Sequence, residues 1–168
     1  MNKIKKYCCK DLSIVSYLFY GELLDDCDIV EIVDDLTNRG VDSDYLINIL
    51  INKEDNLNYD VKGTFSSFLK SNNLQICSKN EAQRNVIRFI FEKIMDDNVD
   101  LRDGIGFIIK YMVNSGENGE YLGEHLGISE VICTYYSIDD VDIMDKISMK
   151  SAIADVMDCM RDYLEAKK

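Results

Sequence analysis

Apolar residues recur at intervals of three and four along nearly the whole chain, and that period fits one kind of backbone, the α-helix. Ile14, Val15, Leu18, Phe19 and Leu23 form the first clear stripe, behind Asp11 as a candidate cap. Asp28 opens a second helix through Ile29, Ile32, Val33 and Leu36, with Gly40 placed to stop it. Ser43 opens a third with Leu46, Ile47, Leu50 and Ile51 on its stripe, and a fourth runs from Tyr59 to Lys70 with Val61, Phe65, Phe68 and Leu69 inward. Ser78 and Glu81 have capping-box spacing ahead of Val86, Ile87, Ile90, Phe91 and Ile94. Asp100 caps a helix over Leu101 to Val113. A further helix is expected over Ser129 to Tyr136, and Ser148 caps the last, through Ile153, Val156, Met157, Met160 and Leu164.

Short connections between amphipathic helices imply antiparallel neighbours. The expectation is therefore all-α: one domain over residues 1–168, an array of about seven to eight amphipathic helices, mostly antiparallel neighbours. Residues 1–10, with four lysines, read as a basic and frayed N-terminus. No linker rich in Pro, Gly or Ser divides the chain, and no repeat of fixed period emerges.

Charge excludes whole classes of partner. Thirty-one acids against nineteen Lys and Arg give a net charge of −12. A surface built for nucleic acid or anionic lipid needs clustered cations instead. The apolar stretch Leu12 to Leu24 is interrupted by Ser13, Ser16, Gly21 and Glu22. No stretch reaches the ~20 apolar residues of a membrane span, so a soluble, cytoplasmic protein is expected. The acids are also unevenly placed: residues 22–60 and 96–145 each hold twelve acids and two bases, whereas 61–95 hold six bases and two acids. Solvated helix faces and first-turn acids explain many of these singly, but not their collection into two blocks.

Catalytic patterns fail when tested. Asp96, Asn98 and Asp100 start like a calcium loop, but Leu101 and Phe107 stand where glycine and a bidentate glutamate are needed. Asp139, Asp140, Asp142 and Asp145 lack a glycine turn and a closing glutamate. Gly116 to Gly127 has only the composition of a phosphate loop, and its Glu117, Glu120 and Glu124 would repel phosphate. His125, the single imidazole, has no Cys or Ser partner at motif spacing. The six cysteines (8, 9, 27, 77, 133 and 159) contain no C-x-x-C, and one histidine cannot complete a Cys2His2 site. They read as reduced thiols, with Cys27, Cys77 and Cys159 inside apolar patterns. No catalytic residue, no metal and no cofactor is therefore expected, and the chain is not expected to be an enzyme.

Two segments carry a resemblance. Ile94-Met95-Asp96-Asp97-Asn98-Val99-Asp100-Leu101-Arg102-Asp103-Gly104 is similar to a helix–turn–helix junction of the type I-L-N-G-E-I-D-P-Y-E-G. His125-Leu126-Gly127-Ile128-Ser129-Glu130, followed by Asp139-Asp140, stands where the second element F-V-G-L-x-S-E and its acids would fall. Over residues 90–157 the chain thus resembles small acidic all-α bacterial proteins found beside polymorphic toxins, although it lacks their turn proline and the aromatic tail of the second motif. The resemblance implies an immunity protein and brings no catalytic residues with it.

Physical chemistry is compatible with that role. An acidic protein can occupy the basic active-site cleft of a toxin, here expected to be a nuclease, in place of a phosphate backbone. Complementary charge speeds capture, and a few buried aromatic anchors supply affinity. The expected partner-binding face is Glu117, Glu120, Tyr121, Glu124, Glu130, Tyr135, Tyr136, Asp139 and Asp140, with tyrosines among acids. The alternative face is Asp25, Asp26, Asp28, Glu31, Asp34 and Asp35. The expected assembly is a monomer in a 1:1 complex with the cognate toxin domain. Three rivals stand beside it: a viral Bcl-2-like helical host modulator, for which the N-W-G-R-type signature is absent; an acidic DNA mimic, which needs regular phosphate-like spacing; and an acid-pair metal enzyme.

Overall fold

The computed structural model describes residues 3–52, 59–74, 76–113, 122–138 and 146–166. The fold is all-α: among the described residues there are nine α-helices, one π-helical turn, one 3-10 turn and no strand. The residues gather into two compact units, 1–82 and 83–168, with the division inside the first turns of one helix.

The first unit holds α1 (Lys3–Cys8), α2 (Leu12–Tyr20), α3 (Asp26–Asn38), α4 (Asp44–Asn52) and α5 (Val61–Ser71). The basic N-terminal stretch, expected to fray, forms α1 instead. Its Ile4 and Cys8 lie one turn apart and both are buried, so even this short helix has a core-facing side. The Asp11 cap forms, accepting the Ser13 N–H at 2.8 Å. α3 begins earlier than its apolar stripe suggests. Asp25 is the cap and Asp28 sits three residues on, the two exchanging side-chain and backbone bonds in a capping box. At its other end Gly40 takes a left-handed φ of 85°, while its N–H and that of Val41 bond the Thr37 and Leu36 carbonyls. These are the two closing bonds of a Schellman stop.

α4 departs from its expected stripe. Leu46 and Ile49 are buried, whereas Ile47 and Ile51 are exposed at 40% and 64%. Leu46-Ile47 and Ile49-Leu50-Ile51 place apolar residues on more than one side of the helix, so periodicity admits either choice of face. Packing against α3 and α5 selects one. In α5, Val61, Phe65, Phe68 and Leu69 are buried as the spacing indicates, and Phe65 meets Phe19 of α2 edge-on at 5.5 Å.

The second unit takes most of α6 (Lys79–Met95), then α7 (Leu101–Ile108), the π-helical turn Ile109–Val113, the 3-10 turn Glu124–Leu126, α8 (Ser129–Tyr136) and α9 (Lys146–Glu165). Two half-buried arginines of α6 tie it together. Arg84 donates to the His125 carbonyl at 2.6 Å and Arg88 to the Leu164 carbonyl at 3.1 Å. Each places a charged donor on a carbonyl near a helix or turn end, where partners are scarce. Phe91 packs edge-on against Tyr163 at 5.4 Å, and the Tyr163 hydroxyl reaches the Leu126 carbonyl at 3.4 Å. Burial raises the pKa of that phenol, with Arg84 and Arg88 opposing.

Two glycines of α7 make a stability prediction with opposite signs. A Cβ on Gly104 would stand 2.7 Å from Ile94 Cδ1 and 3.0 Å from Ile90 Cγ2, whereas one on Gly106 meets nothing within 4 Å. Gly104→Val is expected to destabilise by about 1–3 kcal/mol through overpacking. Gly106→Ala is expected to stabilise by about 0.5–1 kcal/mol, since helix interiors favour alanine. Urea melts of both variants check the pair; equal effects would show that α7 does not lie this close to α6.

Candidate functional site

The best-defined acidic surface is on α3. Its inward side is Ile29, Ile32, Val33 and Leu36, all at most 3% exposed. The same 3.6-residue period therefore turns Glu31, Asp34 and Asp35 outward, and Asp25 and Asp26 are exposed at its start. Asp28, grouped with these by sequence, belongs elsewhere: it is 5% exposed and its carboxylate meets the Lys5 ammonium at 2.5 Å. It is a core ion pair joining α3 to α1, and the acidic ridge is the remaining five residues.

Cations border the ridge. Arg39 bridges Asp35 at 3.0 Å and also donates to the Cys9 and Lys10 carbonyls at 3.4 and 3.5 Å. Lys62 lies 3.9 Å from Asp26. Between α1 and α3 runs a cleft of about 420 Å³ lined by Lys6, Lys10 and Cys9 from the N-terminal side and by Glu31, Ile32, Asp34 and Asp35 from α3. Sequence reasoning misses the lysines of this cleft because it treats residues 1–10 as frayed. The four-residue spacing of Ile4 and Cys8 is the signal that could have found them.

Cys9 lines that cleft but is poorly suited to attack anything there. Burial, followed by the Asp28 and Asp35 carboxylates, pushes its pKa up to about 12; burial and then Cys9 do the same to Cys8. A nucleophilic cysteine requires the reverse, an environment that favours the thiolate. All six cysteines are free thiols, and burial falls differently from the sequence reading: Cys8 and Cys9 are buried, Cys27 and Cys133 exposed, Cys77 and Cys159 between. Cys27 sits on the outer side of α3, one turn before Glu31. Labelling with a thiol reagent at neutral pH is expected to consume Cys27 and Cys133 first and Cys8 and Cys9 only on unfolding. Rapid labelling of Cys9 in the folded chain would contradict the burial described.

Of the tyrosine-bearing face, the described members are Glu124, Glu130, Tyr135 and Tyr136. Glu124 and Glu130 are exposed, Tyr136 is 41% exposed, and the two tyrosine rings stand 6.2 Å apart on the last turn of α8. Glu117, Glu120, Tyr121, Asp139 and Asp140 lie outside the described residues, as does the cluster Asp139 to Asp145. Among the described residues no three of His, Cys, Asp and Glu come together to hold a metal ion, and no helix is long and apolar enough to cross a membrane.

Fold and surface together define an all-α protein with an acidic helical ridge beside a cleft of mixed charge. No family model, curated protein or solved structure matches the chain.

Proposed function

We propose that this chain is a binding protein rather than an enzyme: a cytoplasmic immunity protein that neutralises a cognate toxin domain by covering its basic active-site cleft. The observation that carries the reading is the ridge of α3, where Asp25, Asp26, Glu31, Asp34 and Asp35 stand exposed on one element. A helix anchored by a buried apolar side, a capping box and a Schellman stop presents those carboxylates at fixed spacing. Fixed charges steer a cationic partner without first having to be ordered. Lys6 and Lys10 would repel a wholly cationic ligand from the cleft itself, so contact runs along the outer edge of the ridge. Tyr135 and Tyr136, half-buried and exposed on the last turn of α8, are residues of the kind that supplies anchors in interfaces.

The test is co-expression with the product of the neighbouring upstream gene, read as growth rescue and as a stable 1:1 complex. Glu31→Lys/Asp34→Lys/Asp35→Lys is expected to slow capture by about tenfold or more at low salt, because charge complementarity acts mainly on association. These side chains face outward, so helical circular dichroism should be unchanged. A chain that neither binds nor protects against any neighbouring toxin sinks the reading. Rescue that is indifferent to the triple variant moves the contact away from α3.

A further inference from the structure

The second unit contains a recess unrelated to either acidic face. α6 ends at Met95, and the chain reverses over five residues into α7. The turn is tightly specified: the Asn98 and Val99 N–H groups both bond the Lys93 carbonyl, at 2.9 and 3.1 Å, with Asp97 in a left-handed conformation at φ 56°. That reversal puts Val99 inward at 9% exposure and leaves Asp97 and Asp100 at the surface. Opposite stand Ile153 and Met157 of α9, one helical turn apart. The result is a cleft of about 400 Å³ whose apolar lining is Ile94, Val99, Leu101, Ile153 and Met157 and whose two charged lining residues are Asp97 and Asp100.

We propose that this cleft docks a cationic amphipathic segment of a partner protein, one aliphatic side chain entering between Ile153 and Val99 while a Lys or Arg one turn away meets Asp97 and Asp100. Three features select that occupant. Ile153 is 38% exposed, an apolar side chain at the rim that gains from being covered. The recess has room for one or two aliphatic side chains, within the size range of pockets that hold small groups. Its charge is of one sign, so an acidic segment is rejected and a basic one retained. Asp100 can take part without releasing its helix, because Oδ1 alone accepts the Arg102 and Asp103 N–H groups of the cap, at 2.9 and 3.1 Å. The spacing required of the partner, an apolar anchor with a cation at i+3 or i+4, is that of neighbouring side chains on a helix. None of the residues lining it belongs to α3, and the inference does not depend on the toxin reading.

The experiment uses the full chain and a fluorescein-labelled helical peptide of Leu, Ala and Lys, with its Glu-for-Lys counterpart, in anisotropy titrations at low and moderate salt. The Lys peptide is expected to bind and to weaken with salt, and the Glu peptide to fail. Ile153→Asp should reduce affinity by about tenfold or more, the loss typical of an interface anchor. Asp97→Asn/Asp100→Asn should weaken binding severalfold while preserving the cap, since Asn caps as well as Asp. Asp42→Asn/Asp44→Asn removes the same charge at the exposed start of α4, which belongs to neither proposed surface, and should leave binding unchanged. The proposal is overturned if the Glu peptide binds equally, if Ile153→Asp has no effect, or if the Asp42→Asn/Asp44→Asn variant weakens binding as much as the cleft variants. Concentration-dependent dimerisation abolished by Ile153→Asp would overturn it in favour of a second copy as occupant.

Discussion

Asp28→Ala is expected to destabilise the chain by about 3–5 kcal/mol, the cost of stripping one partner from a buried ion pair. Both side chains of the Lys5–Asp28 pair are 7% exposed, so the ammonium left behind cannot recover its hydration without moving α1. The same change removes the reciprocal cap on α3, because Asp28 also accepts the Asp25 N–H at 3.3 Å. Urea denaturation should show the midpoint falling. Lys5→Met/Asp28→Leu should regain most of the loss, since an apolar pair of similar volume avoids desolvation altogether. A single variant costing under about 1 kcal/mol would mean that the pair is solvated, as exposed pairs of that worth are.

Raising the pH should weaken the same region through the adjacent thiols. Cys8 and Cys9 each have a folded pKa of about 12 against an ordinary 9.0. The folded state therefore favours the neutral thiol, and this contribution is complete below pH 9. Above it the unfolded chain releases protons that the folded chain retains. Stability falls by about 1.4 kcal/mol per pH unit for each thiol until the folded pKa is reached. By about pH 10.5 the two together should have lost roughly 4 kcal/mol by the same linkage. Other groups titrate there as well, so the quantity to measure is the difference in pH slope between the wild-type chain and Cys8→Ala/Cys9→Ala, from urea midpoints at each pH. Parallel slopes would show that the two sulfurs are hydrated in the folded state.

Both predictions centre on α1, the helix that lysine-rich composition conceals. Composition suggests a frayed end, and it says nothing about which lysine a carboxylate will meet. Lys5 and Asp28 are 23 residues apart, so their pairing is invisible to any local rule. The same limit explains the acidic faces. That α3 carries outward acids follows directly from its apolar period. That Asp28 turns inward required α1 to be present on that side.

Local chemistry is the legible part. Asp11 and Asp100 accept N–H groups two and three residues ahead, as their positions before apolar stripes indicate. Although the apolar stripes point to Asp28 and Tyr59 as the starts, Asp25 and Asp60 cap α3 and α5 by the same short-range geometry, set within one turn of chain. Gly40 stops α3 for the same reason, and an all-α fold follows because the 3.6-residue period dominates throughout. Tertiary structure decided what periodicity leaves degenerate. It chose Leu46 and Ile49 over Ile47 and Ile51 on α4 and buried Cys8 and Cys9 while exposing Cys27. It also brought Ile153 and Met157 beside Val99 to make a recess with two carboxylates at its rim. Each of these depends on which surface a neighbouring helix occupies, and that is settled by packing between residues distant in sequence, not by the order of residues within any one helix.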